Sequence, residues 1–88
     1  MKKIVCEINL FDLHQRVFLI NTETKEKKCI ATVMIDSIPE AISALCDNQR
    51  VYSVTLTGNK EYNNTLSKDI LEYSRTHYSN NLIEIEVI

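Results

Sequence analysis

The stretch VYSVTLTGNKEYNNTLSKDI, residues 51–70, predicts a strand, a turn and a helix in succession. Its first seven residues place apolar and small polar side chains on alternate faces, as a half-buried strand does. The only glycine of the chain, Gly58, follows, and Asn59 is a residue type that caps helices. Side chains spaced by three or four positions then predict the buried face of a helix. They are Tyr62, Leu66, Ile70, Tyr73 and His77.

A first helix is predicted upstream of this stretch. Ser37-Ile38-Pro39-Glu40 has the spacing of a capping box, in which the serine hydroxyl accepts from a first-turn amide and the glutamate reaches back. Proline is well tolerated in a first turn because its nitrogen would have no helical partner there. The apolar spacing ends at residues 47–49, where we expect the helix to end.

Four further segments are rich in β-branched and apolar residues and are too short for buried helices. They are residues 4–11, 17–20, 28–35 and 82–88, and a polar break at 79–81 precedes the last one. The order is therefore strand, strand, strand, helix, strand, helix, strand. Right-handed crossovers then place both helices on one face. The sequence predicts an α/β fold, with a five-stranded mixed sheet in the order 3-2-1-4-5 whose second strand is antiparallel.

The sheet face opposite the helices is predicted to be an interface. Alternation along the strands makes one face almost wholly apolar, and the helices must cover it. The other face has no helix and still carries apolar residues, namely Val5, Ile30, Met34, Val51, Leu82 and Ile88. An apolar patch of several hundred Å² is unusual on a monomer, so we expect a homo-oligomer. Glu7, Glu84 and Glu86 would rim the contact, and pairing of edge strands is the alternative route.

Composition limits the class of protein. The 88 residues, 44% of them hydrophobic, predict a single domain over 1–88. A net charge of −2 without a basic stripe argues against nucleic acid, and no apolar run is long enough for a membrane span. Three cysteines without a CxxC pair predict inert core thiols in a reducing cytoplasm, that of the host if the gene is phage-borne. No metal site or cofactor is predicted.

Two stretches resemble the core of the ribonuclease H-like and actin-like ATPase superfamily. INLFDLHQRVFLI (8–20) is similar to its first strand and turn, and VTLTGNKEYNNTL (54–66) is similar to a later strand that leads into a helix. This resemblance implies one half of such a fold. Asn9 stands where the superfamily has a metal-binding or phosphate-facing aspartate, and Phe11 stands where its turn has glycine. A neutral amide replaces a carboxylate poorly as a ligand for hard cations, so the resemblance implies a scaffold without catalysis.

The best candidate for a ligand site is the turn Gly58-Asn59-Lys60, with Asn9 beside it at the end of the first strand. Free amides at a helix N-terminus attract anions, and the lysine adds positive charge. The alternative is that the glycine only permits the turn and the asparagine only caps the helix. His14 and Asp12 are interpreted as ordinary turn residues, because no nucleophile motif accompanies them.

These observations favour a non-enzymatic interaction protein that acts as a homo-oligomer. Its small size and AT-rich residue usage suggest a phage or mobile-element inhibitor of a host system. The alternative is a protein that sequesters an anionic, nucleotide-like small molecule at residues 58–60. A hydrolase or nuclease is the third hypothesis, and the loss of the carboxylate at Asn9 makes it the weakest.

Overall fold

The computed structural model describes residues 1–79 and 82–88 and has the predicted order of elements. The strands are β1 (Lys2–Glu7), β2 (His14–Asn21), β3 (Lys27–Met34), β4 (Ser53–Thr57) and β5 (Glu84–Val87). The helices are α1 (Ile38–Gln49) and α2 (Lys60–Tyr78), and a short 3-10 turn over Ile35–Ser37 precedes α1. The break predicted at 79–81 begins with Ser79 in a left-handed conformation, and its last two residues lie outside the described residues.

The strands form one sheet in the order β3-β2-β1-β4-β5, which confirms the predicted topology. β2 is antiparallel to both of its neighbours, whereas β1, β4 and β5 run parallel. The two helices pack against each other and share one core with the sheet. Its fully buried side chains include Ile4, Cys6, Val17 and Leu56 from the strands and Ile38, Ile42 and Ile70 from the helices.

The entry into α1 differs from the predicted capping box. Ser37 is the N-cap residue, but its side chain makes no capping hydrogen bond. The 3-10 turn that leads into the helix places the Ser37 hydroxyl 3.4 Å from the Asp36 carboxylate instead. Pro39 lies in the first turn, as expected. The proline therefore starts the helix without the reciprocal side-chain contacts of a capping box.

The buried face of α2 contains Leu66 and Ile70 of the predicted stripe, and Tyr62 packs against the core as a partly buried side chain. Asn63, Leu66, Ile70 and Ser74 are buried, whereas His77 is exposed and stacks on Tyr73 with ring centroids 3.8 Å apart. At the start of the helix, the buried Asn63 side chain donates from Nδ2 to the Thr57 carbonyl over 3.0 Å. Among the described residues, no helix is long and apolar enough to cross a membrane.

A bulge between β2 and β3 overturns the expectation that all three cysteines lie in the core. Val17 pairs with Ala31 but Phe18 pairs with Cys29, so one extra residue lies in β3 between them. Such an extra residue reverses the faces of the strand beyond it. Cys6 and Cys46 are buried, and Cys29 is exposed.

The three thiols are therefore expected to react very differently with an aromatic disulfide reagent at pH 8. Burial raises the pKa of Cys6 and of Cys46 to about 12, with the carboxylate of Glu7 adding to the effect on Cys6. Since the thiolate is the nucleophile, both are nearly inert in the folded protein. We expect one thiol per chain to react fast in the folded protein, and this fast reaction to be lost in Cys29→Ser. The other two thiols should react after unfolding. A second fast equivalent in the folded protein would contradict this.

Candidate functional site

The candidate site lies where the central strands β1 and β4 end side by side. The chain leaves β1 toward β2 and leaves β4 toward β5 through α2, that is, in opposite directions across the sheet. Ligands of open α/β sheets bind outside such a point. Two segments meet here, the loop of residues 8–13 and the turn of residues 58–59.

Gly58 is required by the close approach of these two segments. Its φ is +103°, a region that favours glycine, and a Cβ at this position would lie 2.0 Å from the Ile8 carbonyl oxygen. The Ile8 amide donates to the Thr57 carbonyl over 2.8 Å, which holds the two segments together. The glycine therefore permits the turn. This is the structural role that the sequence analysis gives as the alternative to an anion site.

The other residues of the predicted anion site also have roles in the fold. The Asn59 side chain caps α2, since its Oδ1 accepts from the Tyr62 amide over 2.9 Å. Lys60 is exposed in the first turn. Glu61 and Asp69 line the neighbouring cleft of about 440 Å³ together with Asn59, and their charge opposes an anion there. Anion binding at residues 58–60 stays a prediction.

The loop of residues 8–13 is held by Gln15, a residue that the sequence interpretation missed. Gln15 is 1% exposed, and its Oε1 accepts from the Asn9 amide over 2.7 Å. Its Nε2 donates to the carbonyls of Asn9 and Asp12, each over 2.8 Å. The sequence predicts that the first strand runs to residue 11, but β1 ends at Glu7. The hydrogen bonds of Gln15 explain this earlier end. The available signal was the position of Gln15, which shares a strand face with the buried Val17.

The Asn9 side chain closes the loop, because both of its polar atoms form hydrogen bonds within it. Its Oδ1 accepts from the Phe11 amide over 3.0 Å, and its Nδ2 donates to the Asp12 carboxylate over 3.1 Å. No group of three or more His, Cys, Asp and Glu side chains within 1–79 and 82–88 could hold a metal ion. The residues present therefore do not fit the hard-cation site that the superfamily resemblance implies for Asn9.

A small cleft lies between the loop and β2, and we call it the β1–β2 cleft. Its volume is about 220 Å³, and its lining residues are Glu7, Ile8, Asn9, Asp12, His14, Gln15 and Arg16. The sequence predicts that His14 lies in a turn, but the residue belongs to β2. It therefore shares a strand face with Arg16. Glu7 is directly opposite Arg16 in the antiparallel pair. The structure thus gathers an imidazole, a guanidinium and two carboxylates around one cleft.

Lys27 sets the charge balance of this region. Its Nζ lies 3.0 Å from Glu7 Oε2 and 4.1 Å from the centroid of the Phe18 ring. Both partners of the ion pair are about half exposed, so it adds little to stability. It places a cation on the carboxylate that lies directly opposite Arg16. Sequence alone did not associate Lys27 with Glu7, because the bulge sets the face on which Lys27 lies.

The six predicted interface residues do not form one patch. Val5 and Val51 are only 6% and 9% exposed, and Ile30 packs against the core. Val5 is covered because Phe18 and Thr55 flank it in register. The exposed members are Met34, Leu82 and Ile88. Met34 ends one edge strand and the other two flank the opposite edge strand, about 19 Å away at normal strand spacing. Self-association itself stays a prediction.

Comparisons with known proteins add one finding about the fold. No protein-family model matches the sequence, and no curated protein matches it. Among solved structures, the chain is similar to the fowlpox virus Holliday junction resolvase, with a TM-score of 0.46 and 12% sequence identity. The alignment covers 97% of this chain and 60% of the resolvase chain. It indicates a distant ribonuclease H-like resemblance in the path of the chain and no more.

This comparison contradicts two expectations from the sequence. The similar structure is that of a nuclease, which contradicts the expectation of a non-enzymatic interaction protein. The expectation that the chain is no enzyme is corrected for the same reason. The interaction-protein expectation depended on the half-apolar sheet face, and the low weight given to a nuclease depended on the missing carboxylate at Asn9.

Proposed function

We propose that this chain is a nuclease-like domain that hydrolyses phosphodiesters at the β1–β2 cleft. The observation that carries the proposal is the convergence of Asp12, His14 and Arg16 on one cleft beside the ends of the central strands. An imidazole, a carboxylate and a guanidinium are the groups that acid–base chemistry on a phosphate ester needs.

In the proposed reaction each group has one role. The Arg16 guanidinium binds two oxygens of the phosphate, for which its planar fork is suited. The Asp12 carboxylate takes a proton from the attacking water, whose oxygen forms the new bond to phosphorus. The bond from phosphorus to the leaving sugar oxygen breaks, and His14 in its protonated form gives that oxygen a proton. Histidine suits this step because it changes charge near neutral pH.

The ion pair of Glu7 with Lys27 supports the same assignment. An unpaired Glu7 would lie directly opposite Arg16 and would compete with the phosphate for the guanidinium. Lys27 takes up that carboxylate at 3.0 Å. With Glu7 paired to Lys27, the charges of Arg16 and Asp12 offset each other in the lining of the cleft.

The proposal is tested by cleavage of labelled single-stranded, duplex and branched DNA between pH 5 and 8. We expect His14→Ala to lower kcat about a hundredfold or more, since a positioned acid typically contributes about 10²–10⁴-fold. Arg16→Ala is expected to raise KM about tenfold through the lost phosphate contact. The rate should be the same with Mg²⁺ and with a chelator, because the donor set does not fit a hard cation.

Matched controls are available on α2. His77→Ala and Arg75→Ala remove the same side-chain types from exposed positions near the end of that helix. Both are expected to leave kcat and KM unchanged. Two results would contradict the proposal, namely no cleavage of any of the substrates above background, or a His14→Ala rate equal to that of the wild-type protein.

A further inference from the structure

Asn9 is hydrogen-bonded through every polar group that it has. Its backbone amide donates to Gln15 Oε1 over 2.7 Å, and its carbonyl accepts from Gln15 Nε2 over 2.8 Å and from the Asp12 amide over 3.1 Å. Its side-chain Oδ1 accepts from the Phe11 amide over 3.0 Å. Since Gln15 is itself buried, Asn9 is a fixed point of the loop, although the residue lies at the surface.

The remaining polar group of Asn9, its Nδ2, reaches the carboxylate of Asp12. It donates to Asp12 Oδ2 over 3.1 Å, while Gln15 Nε2 donates to the Asp12 backbone carbonyl over 2.8 Å. Within residues 1–79 and 82–88, Asp12 Oδ1 has no hydrogen-bond partner. A carboxylate in water samples several rotamers, and a hydrogen bond from a fixed amide favours the one that keeps this contact.

We propose that Asn9 is a positioning residue, which holds the Asp12 carboxylate with its free oxygen turned to the attacking water. This inference rests on the proposed function, in which Asp12 takes a proton from that water. A neutral amide binds a carboxylate less strongly than a cation does, so it orients Asp12 without competing for both oxygens. The amide that makes position 9 a poor ligand for a hard cation is therefore suited to orienting Asp12.

Asn9→Ser removes the donor to Asp12 and keeps an acceptor for the Phe11 amide, since serine hydroxyls close turns in the same way as asparagine. We expect kcat for DNA cleavage to fall about tenfold to a hundredfold, because the reacting group is no longer oriented. KM should stay within about twofold of the wild-type value, since the phosphate contact is made by Arg16. The midpoint of urea unfolding should stay near that of the wild-type protein.

Asn9→Asp is a second variant, which keeps both the acceptor and the size of the side chain. It presents a carboxylate to Asp12 in place of the donating amide. We expect kcat to fall at least as far as in Asn9→Ser, because like charges repel at this distance. A residue that only closed the loop would tolerate both substitutions, since both keep the acceptor for Phe11.

A double-mutant cycle shows whether Asn9 acts through Asp12. We expect Asp12→Ala to lower kcat about a hundredfold or more, as for other positioned bases. In the Asp12→Ala background, Asn9→Ser should lower kcat no further, because there is no carboxylate left to orient. Effects that multiply would overturn the inference, since Asn9 would then act independently of Asp12.

Asn21→Ser is the matched control. Asn21 Oδ1 accepts from the amides of Glu23 and Thr24 over 3.0 and 3.2 Å, in the connection between β2 and β3. The substitution removes the same side chain from a similar turn that does not line the β1–β2 cleft. We expect kcat and KM to be unchanged. Equal losses of kcat in Asn21→Ser and Asn9→Ser would overturn the positioning role.

The proposed function and this inference fail in different ways. Absence of cleavage by the wild-type protein would contradict the nuclease and, with it, this inference. Cleavage that is lost in His14→Ala and Asp12→Ala but retained in Asn9→Ser would overturn the inference alone and leave the nuclease standing. An Asn9→Ser protein with a lowered unfolding midpoint and a raised KM would also overturn it, because Asn9 would then have only a structural role.

Discussion

Gly58→Ala is expected to destabilise the protein by about 3–5 kcal/mol. The backbone at Gly58 has a φ of +103°, where an alanine side chain costs about 1 kcal/mol or more. The larger cost is steric, since the new Cβ would lie 2.0 Å from the Ile8 carbonyl oxygen. Backbone cannot move aside as a flexible side chain can, so β1 and β4 must separate at this end. The hydrogen bond from Ile8 to Thr57 is then weakened or lost.

Urea unfolding followed by far-ultraviolet circular dichroism measures this change, because the chain has no tryptophan to report it. Arg50→Gly is the matched control. Arg50 ends α1 at a φ of 56°, a left-handed position that helices usually fill with glycine. We expect this variant to be as stable as the wild-type protein or more stable by up to about 1 kcal/mol. A Gly58→Ala protein within about 1 kcal/mol of wild type would contradict the close approach as the reason for glycine.

The topology could be predicted because local patterns and chain connectivity agree. The segment from Val51 to Ile70 contains a strand, a glycine turn and a capped helix, and each part of it is present in the structure. Right-handed crossovers then leave few arrangements for five strands and two helices, and 3-2-1-4-5 is the one observed.

The faces of β3 could not be predicted, because one extra residue changes them. Nothing in the sequence from Lys27 to Ala31 marks the position of the bulge. Strict alternation therefore placed Cys29 in the core, although it is exposed. A bulge depends on how two strands twist against each other, which is a property of the pair and not of one strand.

The site was missed for a related reason. Asp12, His14 and Arg16 are close in the sequence and resemble ordinary turn residues, so their shared cleft becomes visible only when β2 is known to begin at His14. Gln15 carried a usable signal, because a polar residue at an inward position of a strand must find partners. What could not be deduced is that those partners are the backbone groups of the loop beside it.

Gln15→Leu is expected to destabilise the protein by about 2–4 kcal/mol and to release the loop of residues 8–13. Leucine has a similar size but can neither donate nor accept a hydrogen bond. The Asn9 amide and the carbonyls of Asn9 and Asp12 would each lose the partner that Gln15 provides. Hydrogen exchange at the amides of Asn9 and Phe11 should accelerate, because their protection depends on this loop geometry. Gln49→Leu, at a half-buried position near the end of α1, is the matched control and should be nearly neutral.

Gln15→Glu separates lost hydrogen bonds from lost shape. The glutamate can still accept from the Asn9 amide, but its ionised form cannot donate to the two carbonyls that Gln15 serves. Burial beside those carbonyls favours the protonated carboxyl, so the pKa of the new group is raised in the folded state above its unfolded value. The folded state then binds more protons, and stability is retained at low pH and lost as pH rises through the raised pKa. We therefore expect Gln15→Glu to be closer to wild type at pH 4 than at pH 8. A Gln15→Glu protein as stable as the wild-type protein at both pH values would show that Gln15 acts through its shape alone.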